Sequence, residues 1–233
     1  MIMKENRKKL TFLAAAVLLA VGAGATAAYL TNGKRISNEM GAAVNENKII
    51  EDFDPPEKLT EGMNIYKKEI TVKNTGTSGS YVRVFLDFSD SLIRDVSGIS
   101  ADGENFYSAC HDGIAEDISE SEDGIRIKKE AFTEHLPEGW HYVKSPWEDG
   151  AGENSGILGG YFYYDKVLLA GESTAPLTKS IVTYFKDSLQ AADYEVIVTA
   201  QSLQDKGKNG LSFPENGALS PWETAWLEYL ERR

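Results

Sequence analysis

Residues 81–88 read YVRVFLDF. Val82, Val84, Leu86 and Phe88 fall on one parity, and Tyr81, Arg83, Phe85 and Asp87 on the other. Successive side chains of a strand point to opposite faces, so this period of two, rich in β-branched and aromatic residues, predicts a strand. Just before it stands the turn cluster Asn74-Thr75-Gly76-Thr77-Ser78-Gly79, and before that Ile70 and Val72 alternate with Thr71 and Lys73 within Tyr66–Lys73. Two strands joined by a turn follow from this pattern. Further upstream, Ile49–Pro56 (IIEDFDPP) pairs two apolar residues with a proline stop and reads as a strand ending in a turn.

Downstream the pattern is patchier. Glycine or aspartate interrupts residues 90–139 repeatedly, leaving room for short strands such as Ile125–Lys129 and a short helix around Lys128–His135. Trp140–Trp147 reads as a strand and Glu148–Gly160 as a glycine-rich acidic loop. Tyr161–Leu169 (YFYYDKVLL) is aromatic on both faces, as expected of a strand covered on two sides. The turn Gly171-Glu172-Ser173-Thr174 leads towards a strand at Ile181–Phe185, and Tyr194–Gln201 alternates again. At the end, Ser220-Pro221-Trp222-Glu223 matches a capping box, and Trp222, Trp226, Tyr229 and Leu230 share one helical face. That stripe is expected to pack on the sheets, with partner binding as the alternative. Short strands, turn-rich links and one terminal helix predict an all-β fold: an antiparallel, jelly-roll-like β-sandwich with a short C-terminal helix at about 220–231.

The first residues belong to something else. MIMKENRKK is basic, and from Leu10 to Gly33 there is no charged side chain. The apolar core LTFLAAAVLLAV gives way to Gly22, Ala23, Gly24, Ala25, Thr26, Ala27 and Ala28, small residues that suit a signal-peptidase pocket. Residues 1–28 are therefore expected to be a signal helix, cut between Ala28 and Tyr29. Cutting after Ala27 satisfies the same small-residue rule, and an uncut anchor is the alternative, since the run is long enough to span a bilayer. Residues 29–48 form a polar arm, and the domain is expected to fill 49–233.

Charge and chemistry exclude several function classes. The chain carries a net charge of −12, and beyond Ala28 it holds 20 basic and 35 acidic residues, a net −15. Such a balance repels nucleic acid and anionic lipid, so contact with membrane is expected only through the uncut leader. The lone Cys110 allows no internal disulfide. His111, His135 and His141 show no H-E-x-x-H and no zinc-site spacing, and Cys110 and His111, being adjacent, would face opposite sides of a strand. The loop with Asp149, Glu153 and Asn154 lacks the ligand spacing of an EF-hand. No serine elbow, phosphate loop or dinucleotide fingerprint occurs. No metal, cofactor or catalytic residue is expected.

Several segments, in order along the chain, resemble the exported proteins processed by the SipW-type signal peptidase, a group that includes the TasA biofilm-fibre proteins and the camelysin-like proteins. They are the leader end GAGATAAYLTN, the stretch EDFDPPEKLTEGMNIYKKEITVKNTGTSGSYVRV, the segment YFYYDKVLLAGESTAPL, and VIVTAQSLQ followed by the tryptophan-bearing helix. The resemblance implies secretion to the cell surface or matrix, with a signal peptidase as the partner during export. In TasA-like members it further implies fibres of like subunits, in which the mature N-terminal segment adds as a strand to its neighbour. Carried onto this chain, the donor begins at Tyr29, Leu30, Thr31 and Asn32, although the arm itself alternates poorly. Camelysin-like members are classed as metallopeptidases, and this chain offers no matching metal motif, so that activity is not carried over. The expectation is a non-enzymatic structural subunit. A monomeric adhesin using Tyr161–Tyr164 as a ligand platform is the second class, and a secreted metallopeptidase relying on His111, His135 or His141 the third.

Overall fold

The computed structural model describes residues 46–56, 58–119, 124–187, 193–207, 210–214 and 219–231, together with 35–38 as backbone. The predicted signal helix, the cleavage site at Ala28 and Tyr29, and the donor residues Tyr29, Leu30, Thr31 and Asn32 lie outside the described residues.

Twelve strands, two sheets and a short C-terminal helix make up the described fold. The strands are β1 (Arg35–Asn38), β2 (Asn47–Asp54), β3 (Gly62–Asn74), β4 (Ser80–Phe88), β5 (Ser97–Ser100), β6 (Phe106–Ser108), β7 (Ile118–Ser119), β8 (Arg126–Ala131), β9 (Trp140–Val143), β10 (Tyr161–Leu168), β11 (Thr178–Phe185) and β12 (Val196–Gln204). The helices are α1 (Ser91–Arg94), α2 (Ser155–Leu158) and α3 (Pro221–Leu230), with a 3₁₀ turn at Phe132–Glu134. One sheet runs β1-β12-β4-β10-β9 and the other β2-β3-β11-β5-β6-β8-β7. The pairing is antiparallel except between β1 and β12 and between β6 and β8, which are parallel. The purely antiparallel expectation is corrected at those two places.

The alternation seen in the sequence sets which face of each strand is inward. Val82, Val84, Leu86 and Phe162 from one sheet, and Ile49, Ile70, Val72 and Ile181 from the other, belong to one buried cluster, so the sheets face each other across a shared interior. Each such side chain contributes about 1.5–3 kcal/mol by leaving water. The first sheet is also covered on its outside: Tyr81, Tyr163 and Leu203 pack against Trp222, Ala225, Trp226 and Leu227 of α3. That second layer explains the two-sided aromatic pattern of Tyr161–Leu169. The other sheet carries a smaller outer cluster of Phe106, Ile127 and Val182. Gly98 of β5 lies beneath it, where a Cβ would stand 3.0 Å from Ile127 and 3.1 Å from Val182.

Two hydrogen-bond networks satisfy several polar groups of the interior. A chain of hydroxyls passes from Tyr66 to Tyr194 (2.6 Å), Thr183 (2.6 Å) and Ser97 (2.8 Å), and ends with Ser97 donating to the Ile93 carbonyl at 2.7 Å. If each hydroxyl donates to the next, every member is satisfied in one direction. Asn74, fully buried, organises the predicted turn after β3. Its Nδ2 donates to the carbonyls of Ser78 (2.7 Å) and Leu168 (2.8 Å), and its Oδ1 accepts from the Gly76 N–H at 2.9 Å. One side chain thus fixes the turn and ties it to the end of β10.

Three local expectations change. The helix expected around Lys128–His135 is a strand through Ala131, held by β6 and β7, and only Phe132–Glu134 turns helically. The strand expected over Trp140–Trp147 stops at Val143, because Ser145 and Glu148 close a turn in which Glu148 N–H donates to the Ser145 carbonyl at 3.0 Å. The acidic loop Glu148–Gly160 contains α2. Replacing Asn74 by Ala removes its donors from the Ser78 and Leu168 carbonyls, while the Gly76 N–H keeps the Glu46 carbonyl, and is expected to lower unfolding stability by about 2 kcal/mol, read from urea denaturation midpoints.

Candidate functional site

Among the described residues the β1–β12 side of the first sheet is a partly filled edge. β12 is paired along its whole length with β4, from Val196 opposite Phe88 to Gln204 opposite Ser80. On its other side Thr199–Ser202 pair with Arg35–Asn38 of β1, running parallel, with Arg35 opposite Thr199 and Asn38 opposite Ser202. Among the described residues no strand lies beyond β1, and none pairs with Val196–Val198 on that side. Parallel pairing is slightly weaker per residue than antiparallel pairing, and four residues of it make a short attachment. The strand therefore sits within the polar arm of residues 29–48, a few residues beyond the expected donor start.

The outer face beside this edge is rigidly built. Arg83 of β4 is 5% exposed. Its Nε donates to Gln201 Oε1 at 2.8 Å, and its Nη1 to the Tyr163 hydroxyl at 3.0 Å. The guanidinium lies 3.9 Å from the ring centroid of Tyr161 and 4.4 Å from that of Trp226. A desolvated cation over two aromatic faces is worth about 2 kcal/mol or more, so Arg83 pins α3 to the sheet. Tyr163 passes its own hydrogen to the Leu158 carbonyl at 2.7 Å, which adds α2 to the same assembly. At the start of α3, Glu223 accepts from the Ser220 N–H at 2.9 Å and from the Ser220 hydroxyl at 2.7 Å, in keeping with the capping box read from the sequence.

The residues weighed for other functions are dispersed. Phe162, Tyr163 and Tyr164 are buried, which removes the aromatic platform considered for an adhesin. His135 stacks on Tyr107 with centroids 3.7 Å apart. His141 bonds Asp165 at 2.9 Å and stacks on Trp222. His111 meets Tyr142 and Glu148, its Nδ1 lying 2.7 Å from the Tyr142 hydroxyl and 3.4 Å from Glu148 Oε1. Cys110 and His111 lie in a turn after β6, not on a strand, and Cys110 donates to Asp95 at 3.1 Å while His111 faces Tyr142. Among the described residues no three histidine, cysteine or acidic side chains gather as a metal site. The space beside His111, bounded by Asp87, Thr133 and Phe162, holds about 10 Å³, no more than one water. Asp149 and Glu153 are exposed.

No protein family, curated protein or solved structure matches the chain.

The His111–Tyr142–Glu148 junction clasps β9 between two loops. Burial by itself would raise the Glu148 carboxyl, but the Ser145 N–H, the Tyr142 hydroxyl and His111 outweigh it and hold the group below the ordinary glutamate value. A depressed carboxyl contributes stability above its unfolded value and loses it as pH falls through its folded value. The wild type is expected to exceed Glu148→Gln in denaturation midpoint at pH 7, and the gap is expected to close on acidification. Burial, followed by the Asp95 carboxylate, pushes the Cys110 thiol up to about 11. At pH 8 iodoacetamide is expected to label it at under about a tenth of the rate of a free cysteine, since the thiolate is the nucleophile.

Proposed function

We propose that the mature chain is a secreted, non-enzymatic structural subunit of a cell-surface or biofilm-matrix fibre, joined to its neighbours by donated N-terminal strands. The observation that carries this is the partly filled edge of β12: four residues from the N-terminal arm already pair there, so an arm of the same sequence from a second copy can make the same main-chain bonds. Donation is then an exchange in which an intramolecular parallel strand is replaced by an intermolecular one. Heterologous contacts of this kind do not close on themselves and generate open filaments. The leader, the strand pattern and the resemblance of several segments to TasA-like exported proteins support the same reading, and the jelly-roll topology belongs to it. In this scheme cleavage between Ala28 and Tyr29 by a signal peptidase frees the arm beginning Tyr29-Leu30-Thr31-Asn32, so processing licenses assembly. The surface charge of −15 beyond Ala28 keeps unassembled chains apart and makes assembly sensitive to salt.

The alternative of a monomeric adhesin or binding module predicts no dependence on the arm. The decisive comparison uses the chain starting at Tyr29 and one starting at Glu46, both examined by electron microscopy and sedimentation at high concentration. Filaments are expected from the first and single subunits from the second. A strictly monomeric longer chain rejects the proposal.

A further inference from the structure

β2 and β3 pair in antiparallel register, from Asn47 opposite Asn74 to Asp54 opposite Lys67. Ile49, Ile70 and Val72 point into the shared interior, so the alternate residues form the outer face of this two-stranded ribbon. Along that face the opposed pairs read Lys48 with Lys73, Ile50 with Thr71, Asp52 with Glu69, and Asp54 with Lys67. The first sets lysine against lysine, and the third sets acid against acid. Between them Ile50 is 41% exposed. The surroundings temper each sign: Asp52 bonds Lys67, Lys179 follows on β11 where its register shifts, and Glu46 is exposed just ahead of β2. The opposed like-charge pairs are what set the two ends of the ribbon apart.

Like charges directly opposite each other on a sheet are destabilising, so the ribbon gains nothing from this arrangement within one subunit. The order plus, apolar, minus is, however, its own complement when reversed. A two-fold axis through the Ile50–Thr71 step, parallel to the sheet and crossing the strands, lays one outer face on another with strand directions opposed. Ile50 then meets Ile50 of the second copy. Lys48 and Lys73 come over Asp52 and Glu69 of the second copy, and the reverse holds on the other side of the axis. Such an isologous contact closes on itself and stops at two subunits. The net charge of −12 sets copies repelling at long range. At physiological salt the screening length of about 8 Å weakens those distant charges far more than the facing ones.

We propose that the outer face of β2 and β3 is a self-docking surface, through which two copies of this chain pair symmetrically, lysine step on acid step around Ile50. The contact uses no donated strand and does not rest on the fibre reading above.

The test uses the full chain from Tyr29 at about 0.15 M salt, with Cys110→Ser removing the native thiol. Only residues near the axis meet their own counterparts. Ile50→Cys is therefore expected to give a disulfide-linked dimer on mild oxidation, counted on a non-reducing denaturing gel that dissolves any filament. Ile65→Cys, at a position 42% exposed on the outer face of β3 but well off the axis, is expected to give at least about tenfold less. In the Ile50→Cys background, Lys48→Glu with Lys73→Glu, and separately Asp52→Lys with Glu69→Lys, are each expected to lower the dimer yield about tenfold. An equimolar mixture of the two is expected to restore it, because each supplies the complement the other lacks. Equal yields from Ile50→Cys and Ile65→Cys overturn the proposal, and that comparison stands whether or not the reversed faces fold. Reversed faces that fold and cross-link as well as the native one also overturn it, as does a mixture that stays monomeric. Filaments without the Ile50 cross-link reject the docking surface and leave the fibre reading. The Ile50 cross-link without filaments does the opposite.

Discussion

A strand inside a sheet has main-chain donors and acceptors on both of its sides, and among the described residues β12 has a full-length partner strand on only one. On the side of β4 the match is complete over nine residues. On the other side the described residues of the N-terminal arm supply four, in the weaker parallel sense. Much of the architecture protects the complete side of this arrangement. The shared interior fixes the inward faces of β4 and β12, Arg83 reaches across to Gln201 on β12, and α3 covers the outside. The edge is thereby presented by a stiff platform, so whatever occupies it meets a preformed register.

Satisfied polar networks and a buried charged pair stand in different parts of the molecule. The hydroxyl chain through Tyr194 and the Asn74 amide, both deep and fully engaged, hold the centre and one end of the sheets. Networks of this kind are costly to break in part, which favours an all-or-none centre. On the inward faces of β2 and β3 a charged pair, Glu51 and Lys68, stands among the buried side chains. The exposed Lys67–Asp52 pair on the outer face of the same strands contributes little by comparison, as solvent-facing ion pairs generally do.

The sequence disclosed the strands wherever burial is one-sided or strongly alternating. Ile49–Pro56, Tyr66–Lys73 and Tyr81–Phe88 correspond to β2, β3 and β4, and the terminal helix begins at its predicted cap. It was less legible where tertiary contacts outweigh local pattern. Lys128–Ala131 carries helix-compatible residues, yet β6 and β7 hold it extended. Met63–Ile65 extends β3 beyond the predicted start because β11 pairs with it, a partner more than a hundred residues away. Alternation put Arg83 with Tyr81 and Phe85 on the face away from Val82 and Val84, and the sequence pattern did not show that α3 returns over that face. The β12 edge was hidden for the same reason. Arg35–Asn38 shows no alternation of its own and gains its extended form from the strand beside it.

The four tryptophans are unequally placed. Trp140, Trp222 and Trp226 are at most 7% exposed, whereas Trp147, after the turn that ends β9, is 89% exposed. Their fluorescence is thus a sum of two spectroscopic populations. A water-borne quencher such as iodide reaches the Trp147 indole and leaves the other three largely dark to it. The two pools separate by environment without any introduced dye, so the red-emitting component follows the loop after β9, and the blue-emitting one follows the seating of α3 and the packed end of β9.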